Sequence, residues 1–319
     1  MKDFLKKIRY SIARFLLRTA EFSIPRIPLK LTNAAMYLVY CSIYPAVYLF
    51  PDIRKTLLPN IDIAFGNTFT KRERRRFVKN VLWNMVKMFP DLIHYLNPIN
   101  HQKIVENCNI SGMEHLESAL KRGNGVILIS AHLSNFVLMI VRLIMTGLPF
   151  WVVLKDPNNE TLKSVYKHYQ EICGIKGIDA DKGFAATKDI LKALKNNEIV
   201  IIVADERKKH DGINVPFFGR DALTTPGPAV LTLRSGAPLI PAFIHFVEDS
   251  KFEIEILPPI EPEPNGDKER DIYNISLTIN EVIEKQIRKY PYQWAWTNPR
   301  WKGAGRFGAR HERPKVKMP

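Results

Sequence analysis

The sequence predicts an α/β fold in which a mostly parallel sheet is flanked by helices and preceded by an N-terminal, membrane-associating helical region. After about residue 105, short apolar runs alternate with amphipathic stretches of helical spacing. Four of these runs are apolar on both faces, as strands covered by helices on two sides are. With 46% hydrophobic residues among 319, the chain can bury a large core. We expect the helical region at 1–104, the α/β domain at 105–302 and a basic tail at 303–319.

Two membrane contacts are predicted near the N-terminus. In residues 1–22 apolar side chains recur at three- and four-residue steps among lysines and arginines. This pattern indicates a basic amphipathic helix that lies among anionic headgroups or packs on its own domain. Residues 31–51 carry no charge over 21 positions, close to the roughly 20 that cross a bilayer. Because Pro45 interrupts this stretch and its tyrosines favour an interface, a hairpin or monotopic insertion is supported at least as well as a span.

A further helix is expected from residue 71. One face collects apolar side chains at helical spacing, namely Phe77, Val81, Leu82, Met85 and Phe89. The first turn, 71–76, is basic, but no helix-turn-helix pattern or aromatic RNA-binding motif accompanies it. A solvated or lipid-facing surface is therefore favoured over a nucleic-acid site.

The elements of the α/β domain follow from run length and periodicity. Strands are expected at 125–130, 150–154, 198–204, 238–246 and 251–260. Helices are expected at 161–172, 184–196 and 228–235, and a long amphipathic helix over 272–287 closes the fold.

The chain is strongly basic, with 47 Lys and Arg against 32 Asp and Glu and a formal charge of +15. This excess favours an anionic partner, which is an acidic lipid surface, an acidic protein or nucleic acid. Three cysteines, Cys41, Cys108 and Cys173, lie far apart without C-x-x-C spacing. The sequence thus predicts neither a disulfide framework nor a metal site.

One histidine stands at a position where α/β sheets bind ligands. His132 follows the predicted strand 125–130 and begins a turn into a helix. The carboxyl ends of parallel strands gather ligands, and free backbone N–H groups at a helix start can meet an anion. A histidine with a purely structural role is the alternative at this point of the argument.

Several segments, in this order and at this spacing, resemble one protein family. They are AHLSNF with the preceding GNGVILIS, then VADERKKHDGINVPFFGRDALTTPGPAVLTLRSGAPLIPAF, then YPYQWAWTNPRWK. With the early NIDIAFGNTFTKRERRRFVKNVLWNMVK, they resemble the bacterial lipid A late acyltransferases, the lauroyl/myristoyl transferase family, over roughly residues 50–302. The combination is specific, although no single piece is.

The resemblance implies a glycerolipid-acyltransferase type of fold, with a mixed, mostly parallel sheet. It implies an enzyme on the cytoplasmic face of the bacterial inner membrane that needs no cofactor. This enzyme would move a fatty acyl chain from acyl carrier protein, or from acyl-coenzyme A as the alternative donor, to a hydroxyl of a lipid A precursor or related glycolipid. The expected partners are acyl carrier protein, the glycolipid and anionic membrane lipids, and nucleic acid is not expected.

The family's signature is a histidine followed after four residues by an acidic residue, and here that place is Val137. A neutral imidazole suits proton abstraction near neutral pH, but valine cannot fix its tautomer or stabilise the imidazolium. Asp205 and Glu206 both end a predicted strand, so either could replace the missing carboxylate. Glu206 is preferred, because the family usually has Asp-Gln there and the glutamate is this chain's own departure. An unsupported histidine, a ring held by water or a backbone carbonyl, and an impaired or inactive lipid-binding relative are the other hypotheses. The sequence alone does not distinguish a natural valine from one introduced by engineering.

Supporting roles are expected for residues around His132. Ser134 and Asn135 would hydrogen-bond the substrate or the developing oxyanion, or simply cap the helix. The loop residues Thr225, Pro226 and Gly227 would offer backbone N–H groups to an anion, or form a plain helix start. Four cations would meet lipid phosphates or the acidic carrier protein, or act only as surface charges: Lys155, Arg207, Lys208 and Arg300.

Overall fold

A seven-stranded sheet forms the centre of the protein. The computed structural model describes residues 17–50, 53–157, 160–208, 211–248 and 250–303. The strands are β1 Cys108–Ser111, β2 Val126–Ser130, β3 Phe150–Leu154, β4 Gly177–Asp179, β5 Ile199–Val203, β6 Ile213–Phe217, β7 Arg220–Thr224, β8 Leu239–Phe246 and β9 Phe252–Ile256. The sheet has the order β1-β9-β8-β2-β5-β3-β4, and β6 and β7 form a separate hairpin. Every neighbouring pair in the sheet is parallel except β8 with β9, which confirms the predicted mixed, mostly parallel sheet flanked by helices.

Helices precede the sheet in the chain and connect its strands. They are α1 Leu29–Ile43, α2 Leu58–Phe65, α3 Lys71–Leu96, α4 Lys103–Asn107, α5 Met113–Leu120, α6 Phe136–Ile144, α7 Glu160–Ile172, α8 Phe184–Lys195, α9 Gly227–Ser235 and α10 Lys268–Lys289. Helix α3 begins in a capping box, in which Thr70 and Glu73 each accept a backbone hydrogen bond from the other. The long terminal helix is capped by Asp267, whose carboxylate accepts from the N–H groups of Glu269 and Arg270.

The central strands are buried on both faces, as their sequences predict. Along β2, Ile127 and Ile129 enter the core cluster that α2, α3, α8, α9 and α10 help to form. Val126 and Leu128 enter a second cluster on the opposite face, with α5 and α6. All five residues of β2 are buried. This two-sided burial holds the carboxyl ends of β2 and β5 at a fixed edge of the sheet.

The N-terminal helical region is present, and its first strongly apolar stretch is a helix packed on α3. Helix α1 ends at Ile43, two residues before Pro45, and continues as the 3-10 turn Tyr44–Leu49, because proline has no N–H to extend an α-helix. Tyr40 is buried and donates its hydroxyl to Lys79 O of α3 at 2.8 Å. Within the described ranges, no helix combines the length and apolarity that crossing a bilayer requires.

Several sequence predictions concern residues near the two ends of the chain. The expected amphipathic helix of 1–22 lies outside the described residues up to position 16, and residues 17–23 are helical. Most of the basic tail, from 304 onward, is also outside them. The region boundaries at 104 and 302 remain predictions. On α3, Phe77 and Val81 are buried as expected, whereas Met85 and Phe89 are exposed.

Candidate active site

The register of two parallel strands brings a histidine and a carboxylate together. Strands β2 and β5 pair so that Ser130 lies opposite Val203, and Ala204 N donates to Ser130 O at 2.9 Å. Two residues beyond this pair, at the carboxyl edge of the sheet, are His132 and Asp205. Because parallel strands end at the same edge, the two side chains meet there without any contribution from α6.

The imidazole of His132 is held on one side and open on the other. Its Nδ1 lies 2.8 Å from Asp205 Oδ1. The second carboxylate oxygen, Oδ2, accepts hydrogen bonds from His132 N at 3.0 Å and from the indole Nε1 of Trp294 at 2.7 Å. The Asp205 side chain is fully buried, whereas 23% of the His132 side chain is exposed. This arrangement places the proton on Nδ1 and leaves Nε2 on the exposed side of the ring, where it can accept a proton.

The charges of the pair are mutually stabilised. Burial of the ring by itself lowers the pKa of His132, but the charge of Asp205, its hydrogen bond and the charge of Glu206 together hold that pKa above its ordinary value. Burial of Asp205 by itself raises its pKa, but His132 and the hydrogen bonds from His132 and Trp294 hold it below the ordinary range. The site thus contains an ionised carboxylate behind a base whose conjugate acid is stabilised.

Asp205, not Glu206, lies on Nδ1, so the sequence preference between these two neighbours is corrected. Glu206 Oε1 is 3.6 Å from the other ring nitrogen, Nε2, and its side chain is 62% exposed. The physical reason is that the chain reaches solvent only after Asp205, so Asp205 is buried at the sheet edge and Glu206 is exposed. Glu206 therefore borders the open side of the base.

The loop that carries His132 is braced by the segment after α10. Ser134, which has a positive φ of 48°, donates its N–H to Gln293 O at 2.7 Å. Ala295 N donates to His132 O at 3.0 Å, and Leu133 forms a bridge with Trp294. A non-glycine residue at positive φ is uncommon and persists only where its surroundings hold it. The backbone next to the base is thus fixed by hydrogen bonds on both of its sides.

Other predicted site residues are placed in local contacts. Asn135 is buried at the start of α6 and donates Nδ2 to Met88 O of α3 at 3.0 Å, without making a side-chain cap bond. Thr225 Oγ1 accepts from Gly227 N at 3.3 Å at the start of α9, where Pro226 is the N-cap residue. Lys155 forms an ion pair with Asp181 at 3.2 Å.

Two predicted cations differ in their exposure. Arg207 Nη1 donates to Lys302 O at 2.7 Å near the surface. Arg300 is fully buried, although the sequence expectation has it meet a lipid phosphate or the carrier protein. Its guanidinium donates to Leu223 O, Thr224 Oγ1 and Asn280 Oδ1, and burial lowers its pKa to about 10. Those bonds tie the C-terminal segment to β7 and α10, so Arg300 is a structural residue of the interior.

Val137 stands on the first turn of α6, partly buried and packed against the core cluster on that face of the sheet. The ring of His132 is instead contacted from α6 by Phe136, edge to face at 4.8 Å between centroids. Asp205, which follows β5, already lies at Nδ1 of that ring. A carboxylate at position 137 is therefore not needed to occupy Nδ1.

The sequence does not predict the contacts of two side chains around the site. Trp294 is buried, and its indole N–H donates to Asp205 Oδ2 at 2.7 Å. The other is Tyr166 of α7, which interacts electrostatically with Glu206. Burial and the charges of Asp156 and Glu206 raise the pKa of this tyrosine. The tryptophan could have been noted because its motif recurs in the resemblance, but its partner is 89 residues away in the chain.

Comparison with known proteins places this geometry in a family. The chain matches the family described as bacterial lipid A biosynthesis acyltransferase over residues 31–303. It is 26% identical over 209 residues to a phosphatidylinositol mannoside acyltransferase of Mycobacterium tuberculosis, which covers 65% of this chain and 64% of that relative. It is 25% identical over 254 residues to the lipid A biosynthesis lauroyltransferase of Escherichia coli, which covers 76% and 77%.

Among solved structures, the 1-acyl-sn-glycerophosphate acyltransferase of Thermotoga maritima aligns with 84% of this chain and 99% of its own, at 14% identity and a TM-score of 0.37. The family match covers strands β2 and β5, the residues His132 and Asp205 that follow them, and the segment that contains Trp294. The chain therefore belongs to the bacterial lipid A biosynthesis acyltransferase family.

Proposed function

We propose that this protein is an O-acyltransferase that moves a fatty acyl chain from the thioester of acyl carrier protein to a hydroxyl of a lipid A precursor or related glycolipid. The observation that carries the proposal is the hydrogen bond between His132 Nδ1 and Asp205, with Nε2 left on the open side. This is the arrangement that general-base catalysis on an alcohol requires. Membership of an acyltransferase family supports the reaction class.

In the proposed reaction His132 is the catalytic base. Nε2 takes the proton of the acceptor hydroxyl as its oxygen attacks the thioester carbonyl. The tetrahedral intermediate then collapses, the carbon–sulfur bond breaks, and the imidazolium returns the proton to the leaving thiolate. Asp205 keeps the proton on Nδ1 and stabilises the imidazolium, which is the function of the carboxylate in a serine protease triad. The products are an ester and the thiol of the donor.

Direct transfer is proposed rather than an acyl-enzyme. Among the residues that the structure describes, no serine or cysteine side chain forms a hydrogen bond with His132, whose ring partners are Asp205 and Glu206. Cys108 is buried, and burial raises the pKa of its thiol to about 12. A nucleophile activated by this histidine would need a direct contact with it. The acceptor hydroxyl is thus the nucleophile of the proposal.

The acceptor is proposed to carry its sugar hydroxyls at the open side of the base. The mycobacterial and E. coli relatives are named for a mannoside and for lipid A, and a hydroxyl on a saccharide-bearing lipid is the chemistry these names share. Glu206, 62% exposed beside Nε2, can accept a hydrogen bond from a second hydroxyl. The donor is acyl carrier protein, with acyl-coenzyme A as the alternative.

We place the protein at the cytoplasmic face of the bacterial inner membrane. Exposed apolar side chains of α1 and the turn after it form what we call the apolar surface: Leu31, Leu38, Val39, Ile43, Leu49 and Phe50. Exposed apolar surface is typical of interaction sites. Helix α1 packs on α3, and α3 holds Asn135 next to the catalytic loop. A bilayer in contact with α1 would therefore be connected through α3 to the loop that carries His132.

The proposal is tested with the purified full-length chain in vesicles that contain acidic phospholipid. Acyl carrier protein and coenzyme A, each loaded with a labelled fatty acyl group, are offered with a phosphorylated disaccharide lipid or with a phosphatidylinositol mannoside. We expect labelled acceptor with at least one pair and none with His132→Ala. Lack of transfer above that control with every pair, while the protein still binds the vesicles, would instead support an inactive lipid-binding relative.

A further inference from the structure

We infer that Trp294 is a positioning residue: its indole N–H fixes the carboxylate of Asp205, through which it acts on His132. The inference rests on the proposed function, because it gives Trp294 a task in that reaction. It assigns a role to a side chain whose hydrogen bond goes to Asp205 and not to the ring of His132.

The contacts of Asp205 show why an additional donor matters. Oδ1 is occupied by His132 Nδ1, and Oδ2 accepts from His132 N and from Trp294 Nε1. A carboxylate excluded from water needs donors for its oxygens. Two of its three donors belong to His132 itself, the residue that the carboxylate must orient. The indole is the donor that comes from another part of the chain.

Trp294 is itself held rigidly before any substrate arrives. It is 1% exposed, and its ring packs edge to face with Trp296 at 4.7 Å and against Trp301 at 6.2 Å. Its backbone neighbour Ala295 donates to His132 O, so the same segment fixes the loop and the carboxylate. A group locked by packing on one side and by hydrogen bonds on the other can pre-set the geometry of a catalytic pair.

The structure supplies matched controls for this role. Three tryptophans of one segment are buried, and the indole N–H of each has one acceptor. Trp296 Nε1 donates to Pro291 O at 2.7 Å, and Trp301 Nε1 donates to Phe217 O at 3.1 Å. Replacing any of the three by phenylalanine removes one N–H and leaves a similar cavity. Trp294→Phe is the one exchange of the three that also removes a donor from the catalytic carboxylate.

We expect Trp294→Phe to lower kcat by about 10- to 100-fold with little change in KM, because a hydrogen bond to a charged acceptor has that weight. Trp296→Phe and Trp301→Phe should stay within about threefold of the wild type when compared at equal folded fraction. Equal losses of kcat in all three variants would assign Trp294 to packing and overturn the inference.

A double-mutant cycle tests whether Trp294 acts through Asp205. In an Asp205→Ala background, Trp294→Phe should change the residual rate by less than about twofold, since the carboxylate it positions is gone. If the losses multiply instead, Trp294 affects the reaction by another route and the inference fails. Should Trp294→Phe not fold, 3-benzothienylalanine at position 294 keeps the bicyclic ring and removes only the N–H.

A spectroscopic measurement separates this inference from the proposed function. In ¹⁵N-histidine-labelled protein, the His132 Nδ1–H proton should resonate at low field and vanish in Asp205→Ala. In Trp294→Phe it should move upfield or exchange with water too fast to be seen, while Trp296→Phe retains it. This result without any acyl transfer would keep the positioning role and reject the proposed function. An unchanged resonance in a Trp294→Phe enzyme that still transfers the acyl group would reject the positioning role and keep the proposed function.

Discussion

At the scale of single residues, Asp205 gives His132 what Val137 cannot. The carboxylate holds Nδ1 at 2.8 Å from a fully buried position, so its charge is little screened by water. A carboxylate on α6 would approach the ring from a helix, whereas Asp205 approaches from the neighbouring strand in fixed register. The proposed reaction requires a supported imidazole, and a carboxylate from either element would meet that requirement.

Asp205→Asn should lower kcat by roughly 10³- to 10⁴-fold, because an amide neither stabilises the imidazolium nor enforces the productive tautomer. The charge of Asp205 is one of the causes that hold the pKa of His132 above its ordinary value. A base acts when deprotonated, so the rate rises with pH through that pKa, and removing the charge should move this rise to lower pH. The pH dependence of kcat/KM measures both effects.

Glu206→Gln is the matched comparison for this variant. Glu206 is mostly exposed and lies 3.6 Å from Nε2, so solvent screens its charge. We expect the rise of kcat/KM to move slightly to lower pH and the plateau rate to stay within about fivefold. A loss as large as that of Asp205→Asn would show that Glu206 belongs to the catalytic machinery.

Val137→Glu should not raise the rate, because Nδ1 already has a carboxylate. The new side chain would stand on the partly buried turn of α6 that packs against the apolar core. We expect a loss of on the order of 1–2 kcal/mol in the free energy of unfolding, since partial burial there disfavours an ionised acid. Denaturant unfolding and the transfer assay together check this. A clear gain in kcat would mean that Asp205 supports the base incompletely.

At the scale of elements, buried Arg300 connects the C-terminal segment to β7 and α10. It donates to Leu223 O, Thr224 Oγ1 and Asn280 Oδ1 from a site without solvent contact. Burial also lowers its pKa to about 10, which indicates that the cation has a desolvation cost there. Its hydrogen bonds offset that cost, because they satisfy a strand carbonyl and two side chains that are also buried.

Arg300→Met should reduce the free energy of unfolding by about 2–3 kcal/mol, because three acceptors lose a charged donor while the buried charge is also removed. Arg207→Met is the control, since Arg207 makes a single described hydrogen bond, to Lys302 O, near the surface. We expect that control to change stability by less than about 1 kcal/mol. Equal losses in urea unfolding would contradict a structural role specific to Arg300.

The elements that could be predicted are those with strong periodicity. Strands β2, β3, β5, β8 and β9 and helices α7 to α10 fall at the expected positions within a few residues, because buried strands and amphipathic helices leave clear patterns. The edge strands β1 and β4, with four and three residues, are too short to leave such patterns. The β6–β7 hairpin turns at Phe218 and Gly219, both at positive φ, and a phenylalanine there is an unusual turn residue.

The site was predictable as far as the strand ends determine it. The sequence places His132, Asp205 and Glu206 at one edge of a parallel sheet, and the register then decides between the two carboxylates. The indole of Trp294 reaches Asp205 across 89 residues of chain, and no local pattern reports such a contact. Arg300 is assigned a binding role from the sequence because it is a cation in a motif, and only its burial in the structure shows that it is an interior residue.

At the scale of the whole molecule, the apolar surface and the proposed catalytic pair, His132 and Asp205, are linked through α3. Helix α1 packs on α3 through its tyrosines, with Tyr37 and Tyr40 against Trp83 at 4.9 and 5.5 Å. Further along α3, Met88 O accepts from Asn135, which precedes α6. A membrane that contacts α1 would therefore fix the orientation of the active-site loop relative to the lipid, which suits an acceptor that itself resides in the bilayer.

This arrangement predicts that membrane binding depends on the exposed apolar side chains of α1 and its following turn. Leu38 and Leu49 are 69% and 73% exposed, so replacing them should not disturb the core. The double change Leu38→Glu with Leu49→Glu should weaken binding to vesicles at least about tenfold, because two buried leucines would contribute roughly 1.5–3 kcal/mol each. Phe184→Glu is the control, since Phe184 is 84% exposed on α8, outside the apolar surface.

Co-sedimentation with vesicles of neutral and of acidic phospholipid measures this effect. Weakened binding with an unchanged rate on acceptor dispersed in detergent would show that the apolar surface serves membrane attachment and not the chemistry. If the double variant bound like the wild type, or if Phe184→Glu lost binding to the same extent, another part of the chain would hold the protein at the membrane. The basic first turn of α3 would then be the next segment to change, because its charge can attract acidic headgroups without any apolar insertion.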